Sequence, residues 1–148
     1  MTADGFAPFG TVLTAPGQER AVGRAGGRAG PVPVLHNGRP GAPTTLALSW
    51  LALPGPITML ERHTHSGQCF LPMAGGTMLV VVAPNGPASA CAFVTAPRQG
   101  FDLHPGVWHA GVASIGGPTL AAVLLCRDGS SGDMETVSLT DPWEVALP

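Results

Sequence analysis

The sequence predicts an all-β domain made of short strands, arranged as a sandwich or a small barrel. Glycine contributes 21 and proline 16 of the 148 residues, and both are spread among short apolar runs. Such spacing is typical of strands that are joined by tight turns. No apolar run with helical periodicity continues long enough to indicate a helix. The length suits one domain with a substantial core, so we predict a single domain over residues 1–148.

Strands are predicted along most of the chain. Gly5–Leu13 is expected to dock against the domain and to lead into a first short strand. The turn at Pro84–Pro87 contains Asn-Gly and joins two strands as a hairpin. One turn of helix is predicted within Asp141–Pro148. The remaining predicted strands are Thr44–Leu53, Thr58–His65, Cys69–Met73, Thr77–Ala83, Ala90–Ala96, Phe101–His104, Val107–Ala113, Thr119–Arg127 and Met134–Leu139.

A segment at about residues 15–43 interrupts this pattern. It is rich in glycine, alanine, arginine and proline, and it contains His36 and Arg39. A run of this length without strands is either disordered or functional in a compact domain. Two interpretations therefore stay open: a flexible, solvated loop, or a lid or subunit contact. Arg39 is a candidate for binding a substrate carboxylate, because arginine suits planar recognition of that group.

The composition excludes several classes of function. Charged residues are 11% of the chain and the net charge is −2, so no nucleic-acid partner is expected. No apolar run reaches the roughly 18–20 residues of a membrane span, and Met1–Gly10 lacks a signal peptide, so we expect a cytoplasmic protein with no membrane partner. The absence of lysine excludes Schiff-base chemistry. Cys69, Cys91 and Cys126 lie in apolar runs, and we expect reduced, buried thiols.

The eight residues Glu61–Gln68 concentrate the polar chemistry of the sequence. If they form a strand, Glu61, His63 and His65 share one face, because side chains alternate along a strand. Gln68 follows a Ser-Gly break that can bend the strand and return the amide to that face. A polar cluster on the inner face of an apolar sheet costs several kcal/mol in order of magnitude unless it is satisfied. The segment therefore predicts a functional site.

The spacing of this segment resembles the first of two motifs carried by cupins, which are small β-barrels. That motif reads G-x5-H-x-H-x3–4-E-x6-G. One register places His63 and His65 on the histidine pair, but Gln68 then follows too soon. We prefer the register in which every spacing fits, because glycines fix the turns and hence which side chains point inward. Its positions are Gly55, Glu61, His63, Gln68 and Gly75, with Glu in place of the first His and Gln in place of the Glu.

The second cupin motif is met in part by Gly106–His109. In a barrel closed this way, His109 would face the Glu61/His63 strand across the interior. The two strands would then bring together donors for a divalent metal, since imidazole suits Zn, Ni, Co, Fe and Mn. A polar pocket without metal stays open as the alternative, and no organic cofactor is expected. The candidate metal ligands are Glu61, His63, His65, Gln68 and His109.

Several blocks of the chain resemble the ureidoglycolate lyase family. These blocks are Phe6–Gly10, Leu60–His63, Gln68–Met73, Leu79–Val82, Gln99-Gly100, His104 and Val107–His109. The similarity is specific over residues 56–110 and fails over residues 20–45, where the family usually carries a different segment. His65 is also a departure, since the family commonly has no histidine there.

The resemblance implies a cupin homodimer that cleaves ureidoglycolate to glyoxylate and urea in allantoin, or purine, catabolism. His63 and His109 are then the candidate acid and base, because neutral histidine suits both roles near pH 7. Glu61 would orient an imidazole, act as base or bind metal, and Gln68 would bond the urea or hydroxyl group. The candidate substrate-binding residues are His65, His104, Arg62, Arg39 and Trp108. Strand alternation turns Arg62 outward, so a structural ion pair or dimer contact stays open beside carboxylate binding.

Two other functions remain open at this point. One is a cupin enzyme that acts on another small hydroxy or keto acid. The other is a cupin that senses or stores a small molecule without catalysis. Several inward ionisable groups favour catalysis over simple binding. Fold analogy alone does not decide among these functions.

Overall fold

The computed structural model describes residues 1–14, 43–126 and 132–147 of the chain. It confirms the predicted all-β class. One short helix, α1, spans Ala3–Phe6, and one turn of 3-10 helix spans Pro87–Ser89. The strands are β1 Gly10–Leu13, β2 Thr44–Leu51, β3 Ile57–His63, β4 Gln68–Ala74, β5 Thr77–Ala83, β6 Cys91–Val94, β7 Gly100–Leu103, β8 Trp108–His109, β9 Ala113–Ile115, β10 Thr119–Cys126 and β11 Met134–Trp143.

The strands form two antiparallel sheets, which is the arrangement predicted for a cupin-like barrel. The first sheet has the order β1-β7-β4-β10-β2. The second has the order β11-β3-β8-β5-β6, and β9 pairs with β5 beside this path. Neighbouring strands in both sheets are mostly distant in sequence, so the fold depends on long-range pairing.

The main core lies where apolar side chains of the two sheets meet. Phe70 and Phe101 come from the first sheet, and Val80 and Val82 come from the second. Phe6 of α1 completes this cluster with no exposed surface. A second cluster forms on the opposite face of the second sheet, because residues of β5 point alternately to its two sides. Its buried members are Leu60, Val81, Ala83 and Ala110.

The N-terminal segment docks as predicted and leads into β1. The Phe6 ring lies 5.3 Å from the Phe93 ring and 5.7 Å from the Phe101 ring, centroid to centroid. Gly10 pairs with Leu103 where β1 joins β7. A Cβ at position 10 would lie 2.0 Å from the backbone oxygen of Asp102, so only glycine allows the two strands to approach this closely.

The predicted strand Thr58–His65 is too long at its end, because β3 stops at His63. The next backbone N–H groups turn to the residue that precedes β11. Thr64 donates to the Asp133 carbonyl at 2.7 Å, and His65 donates to Asp133 Oδ1 at 2.9 Å. Asp133 therefore satisfies both donors within a tight connection, and the strand ladder does not continue. His65 lies beyond the end of β3, so strand alternation does not determine where its side chain points.

Three further expectations are wrong. The predicted strand Val107–Ala113 is two short strands, β8 and β9, because the chain leaves the ladder around a glycine at position 111. The helical turn predicted within Asp141–Pro148 is absent from its described part, residues 141–147. There Trp143 pairs with Ile57, and this tertiary contact overrides local preference.

Cys69 is buried as expected, but Cys91 is exposed on the outermost strand of the second sheet.

The segment at about residues 15–43 falls almost wholly outside the described residues. His36 and Arg39 lie there as well. The interpretations of that segment as a flexible loop, a lid or a subunit contact therefore stay predictions, and so does the single-domain assignment. In the described part of the chain, no helix has the length and apolar character needed to cross a membrane.

Candidate functional site

The polar residues predicted on β3 meet the histidine of β8. Glu61 pairs directly with His109 across these two strands. His63 follows on the same face of β3, two residues further along. The expectation that His109 faces β3 across the barrel interior is wrong, because β8 is the immediate neighbour of β3 in one sheet. Direct strand pairing therefore sets the spacing of these side chains.

Glu61, His63 and His109 form a compact cluster. One ligand atom from each lies within 4.8 Å of the others. His109 Nε2 lies 3.4 Å from Glu61 Oε1, and the two imidazole centroids are 6.1 Å apart. His63 is 4% and His109 is 2% exposed, whereas Glu61 is half-buried. The carboxylate thus provides the more open side of the cluster.

Gln68 joins this cluster from the other sheet. Gln68 is the first residue of β4, and its side-chain Oε1 lies 2.9 Å from His109 Nε2. The amide therefore lies on the same side as the β3 and β8 groups, as the preferred motif register requires. Both sheets contribute to the candidate site, so its geometry depends on how the two sheets are held together.

The surroundings of His109 specify how its ring is used. Nδ1 lies 3.0 Å from the backbone carbonyl of Val107, which can only accept, so Nδ1 carries a proton. Nε2 faces two oxygens, Gln68 Oε1 and Glu61 Oε1. Two acceptor oxygens beside Nε2 favour a positive charge between the nitrogen and the oxygens. Either a proton carried by Nε2 or a metal ion bound by all three atoms would supply that charge.

The donor set fits a divalent metal. Two imidazoles and a carboxylate that leave other positions open form a known metal-binding arrangement. With metal–ligand bonds of about 2.1 Å, neighbouring donor atoms lie roughly 3.0–3.4 Å apart. The separation of 3.4 Å between His109 Nε2 and Glu61 Oε1 agrees with this range. Glu61, His63 and His109 are thus a candidate metal-binding triad, with the Gln68 amide oxygen beside it.

One residue next to this cluster was not predicted from the sequence. Asp133 precedes β11, is 5% exposed, and has Oδ2 3.5 Å from His63 Nδ1. The same oxygen accepts a hydrogen bond from Ser66 Oγ at 2.6 Å. No local pattern marks Asp133, since it is far from β3 in sequence and only the pairing of β11 with β3 brings it close.

Two predicted substrate-binding residues, Arg62 and Trp108, lie together on the opposite face of the second sheet. The Arg62 guanidinium lies 4.6 Å above the Trp108 ring, in a cation–π contact. Arg62 Nη2 also lies 2.6 Å from Glu135 Oε2. Strand alternation predicted this outward direction, and the contacts match the ion-pair interpretation of Arg62.

The other predicted binding residues lie at the margins. His65 is half-buried in the connection between β3 and β4, and its backbone N–H is held by Asp133. His104 is half-buried in the turn that follows β7, and its backbone N–H donates to the Phe9 carbonyl at 2.9 Å. Arg39 lies outside the described residues. The structure thus brings together Glu61, His63, Gln68 and His109.

The thiol of Cys69, next to Gln68 in sequence, is not a nucleophile at neutral pH. Burial, and then the Asp102 carboxylate of the paired strand, raise the pKa of the Cys69 thiol to about 12. A thiol with this pKa stays protonated, and the thiolate is the reactive form. Covalent catalysis through Cys69 is therefore excluded.

A cavity of about 600 Å³ lies elsewhere in the fold. Its lining includes Leu79, Val81 and Ala110 from the outward face of the second sheet, with Val145 from the C-terminal segment. None of the four clustered polar residues lines it. The chemistry-bearing groups and this cavity are therefore separate features.

Comparison with known proteins identifies the relatives of this chain. Residues 1–146 match the family model described as ureidoglycolate lyase. The chain is 30% identical to the ureidoglycolate lyase of Mesorhizobium japonicum over 157 aligned residues, which cover 100% of this chain and 95% of the relative. It is 38% identical to that of Pseudomonas syringae pv. tomato over 124 residues, which cover 78% and 73% of the two chains.

A solved structure of dTDP sugar isomerase from Desulfovibrio desulfuricans G20 gives a weaker likeness. Its TM-score is 0.48 and its identity is 19%, with 87% of this chain and 82% of that chain covered.

Proposed function

Because this chain belongs to the ureidoglycolate lyase family, we propose that it cleaves ureidoglycolate to glyoxylate and urea. The observation that carries the proposal is the convergence of Glu61, His63 and His109 within 4.8 Å, with Gln68 2.9 Å from His109. This places two imidazoles within reach of one small substrate. We also place the reaction in the catabolism of allantoin, in the cytoplasm.

The reaction requires a base and an acid on the two sides of one carbon atom. The base removes the proton of the carbinol hydroxyl, the C–O bond becomes the aldehyde of glyoxylate, and the C–N bond breaks. The acid gives a proton to the urea nitrogen that leaves with the electron pair. The proton taken equals the proton given, so no oxidant or reductant is needed. Positioned acid–base groups of this kind typically contribute about 10²–10⁴-fold each.

We assign the acid to His109 and the base to His63. The Gln68 and Glu61 oxygens around His109 Nε2 favour a proton there, and that proton is the one donated to urea nitrogen. His63 then supplies a lone pair from its own ring. The Gln68 amide N–H₂ is a donor for the urea carbonyl, because its oxygen is already directed at His109.

The same side chains would hold a divalent cation at Glu61, His63 and His109. Bound there, the ion would polarise the hydroxyl and carboxylate oxygens of the substrate as a Lewis acid. One lone pair on His109 Nε2 cannot serve a proton and a metal at the same time. Whether activity needs a metal therefore separates the two uses of this residue.

The proposal predicts equal amounts of urea and glyoxylate from ureidoglycolate. The assay uses both enantiomers separately, since the site is chiral. Formation of both products from one enantiomer is the expected result, and no product from either enantiomer would overturn the proposal.

Repeating the assay after dialysis against EDTA tests whether His63 and His109 act as acid and base or as metal ligands. We expect retained activity. Activity that is lost and then restored by Zn²⁺, Ni²⁺, Co²⁺ or Mn²⁺ would reassign His63 and His109 as ligands.

We also propose that the enzyme is a homodimer. Leu46, Leu48 and Trp50 alternate along β2, at the end of the first sheet, and are 67%, 65% and 70% exposed. Because their spacing is two residues, the three side chains share one face of the strand. Contiguous exposed apolar surface of this kind marks an interaction site. A second copy of the chain is the partner that the family resemblance implies.

A charge in the middle of this row should separate the protomers. We expect light scattering to give a dimer mass for the native protein at micromolar concentration and a monomer mass for Leu48→Glu. A buried carboxylate at the centre of an apolar contact costs several kcal/mol. Leu147→Glu is the control, because that leucine is 42% exposed and lies outside the row. A native monomer, or a Leu48→Glu dimer as stable as the control, would contradict the assignment.

A further inference from the structure

The buried carboxylate of Asp133 lies next to the His63 ring. Asp133 precedes Met134, which pairs with His63 where β11 joins β3. Asp133 is 5% and His63 is 4% exposed. An ionised carboxylate at this depth costs several kcal/mol unless donors surround it. Its position therefore depends on the groups that it contacts.

Two hydrogen-bond donors and one ring nitrogen lie around the Asp133 carboxylate. Oδ1 accepts the backbone N–H of His65 at 2.9 Å, and Oδ2 accepts the Ser66 hydroxyl at 2.6 Å. His63 Nδ1 lies 3.5 Å from Oδ2. The two donors fix the carboxylate in place, and the ring nitrogen belongs to a proposed catalytic histidine. The carboxylate is thus held so that one oxygen faces the His63 ring.

We infer that Asp133 is a positioning residue that holds the proton of His63 on Nδ1. A carboxylate can only accept, so a proton on Nδ1 is favoured over a lone pair there. In the neutral ring, Nε2 then carries the lone pair. This inference rests on the proposed role of His63, because a base and a metal ligand both need that lone pair to face the site.

The alternative is that Asp133 only fastens the connection after β3. Its backbone carbonyl accepts from Thr64 N at 2.7 Å and lies 3.3 Å from Thr64 Oγ1. These backbone contacts do not involve the carboxylate, so they survive an Asp133→Asn substitution. Asparagine also keeps an oxygen for the His65 N–H. It presents an N–H₂ group to the other side, whose two hydrogens suit the Ser66 hydroxyl oxygen and a lone pair on His63 Nδ1.

The tautomer of His63 tests the inference without substrate or metal. Long-range ¹⁵N–¹H spectra of the labelled full-length protein distinguish a protonated Nδ1 from a protonated Nε2. The spectra are recorded at a series of pH values that extends well above the ordinary histidine pKa of about 6.5, and the tautomer is assigned where the ring is neutral. We expect Nδ1–H in the native protein and in Thr64→Ala, and Nε2–H in Asp133→Asn. A native protein with Nε2–H overturns the inference, even if the asparagine variant does not fold.

Steady-state kinetics give the second readout. Removing such an outer partner of a functional histidine typically costs about 10–100-fold in activity or metal affinity. We expect Asp133→Asn to lower kcat by about this factor with little change in KM, while Thr64→Ala keeps native kcat. Native kcat in Asp133→Asn, together with an unchanged tautomer, shows a structural role only. If the native protein has no lyase activity, the proposed function fails but the spectra still decide the role of Asp133.

Discussion

Replacing His63 with alanine is expected to lower the turnover of ureidoglycolate by about 10²–10⁴-fold, which is the usual effect of losing a general acid or base. His63 lies on the same face as Glu61 and is part of the cluster with His109. Its loss removes the base, or a metal ligand, and leaves the oxygens around His109 in place. We expect the variant to fold, because Glu61 and Asp133 provide polar partners for a water molecule in the vacated volume.

Urea release and the melting temperature must be measured on the same sample of His63→Ala. A histidine that only fills the core predicts a clear loss of thermal stability and nearly native turnover per folded molecule. Thr58→Ala is the matched control, since Thr58 is exposed on the same strand, β3. Near-native activity of His63→Ala would refute both the motif register and the proposed base.

Replacing Phe6 with alanine is expected to lower the free energy of unfolding by about 3–5 kcal/mol, the usual cost of a fully buried Phe→Ala change. Phe6 is 0% exposed, and its ring contacts those of Phe9, Phe93 and Phe101. These partners come from both sheets and from the N-terminal segment. The cavity would therefore open where the elements join, and no single strand can shift to close it.

Denaturant unfolding, followed by tryptophan fluorescence and circular dichroism, measures the Phe6→Ala effect. Leu53→Ala provides the control, because Leu53 is 65% exposed and should change the free energy by no more than about 0.5 kcal/mol. Equal effects of the two substitutions would show that the N-terminal segment does not contribute to the core. A loss for Phe6→Ala alone supports docking of α1 as a part of the folded domain.

Local patterns were enough to predict the strand class and the central residues of the candidate site. Alternation along a strand depends only on backbone geometry, so Glu61 and His63 could be placed on one face and Arg62 on the other. The motif spacing added Gln68 and His109, whose contact at 2.9 Å agrees with the chosen register. These inferences needed no knowledge of which strands are neighbours.

Features set by long-range contacts were missed or misplaced. Asp133 reaches His63 only because β11 pairs with β3, and a single sequence contains no signal for that pairing. The strand end at His63 has the same cause, since Asp133 takes the N–H groups that follow. The direct pairing of β8 with β3 also depends on chain topology, which the motif spacing does not specify.

The position of β3 between two neighbouring strands limits how this part of the gene can change by insertion or deletion. β3 is paired on both sides, with β11 along most of its length and with β8 at Glu61. Deleting one codon between Ile57 and Glu61 would reverse the facing of the residues of β3 that follow the deletion. The guanidinium of Arg62 would enter the interior, while the Glu61 carboxylate and the His63 imidazole would leave it. Related sequences should therefore differ here by substitution, with length changes confined to the connections outside β3.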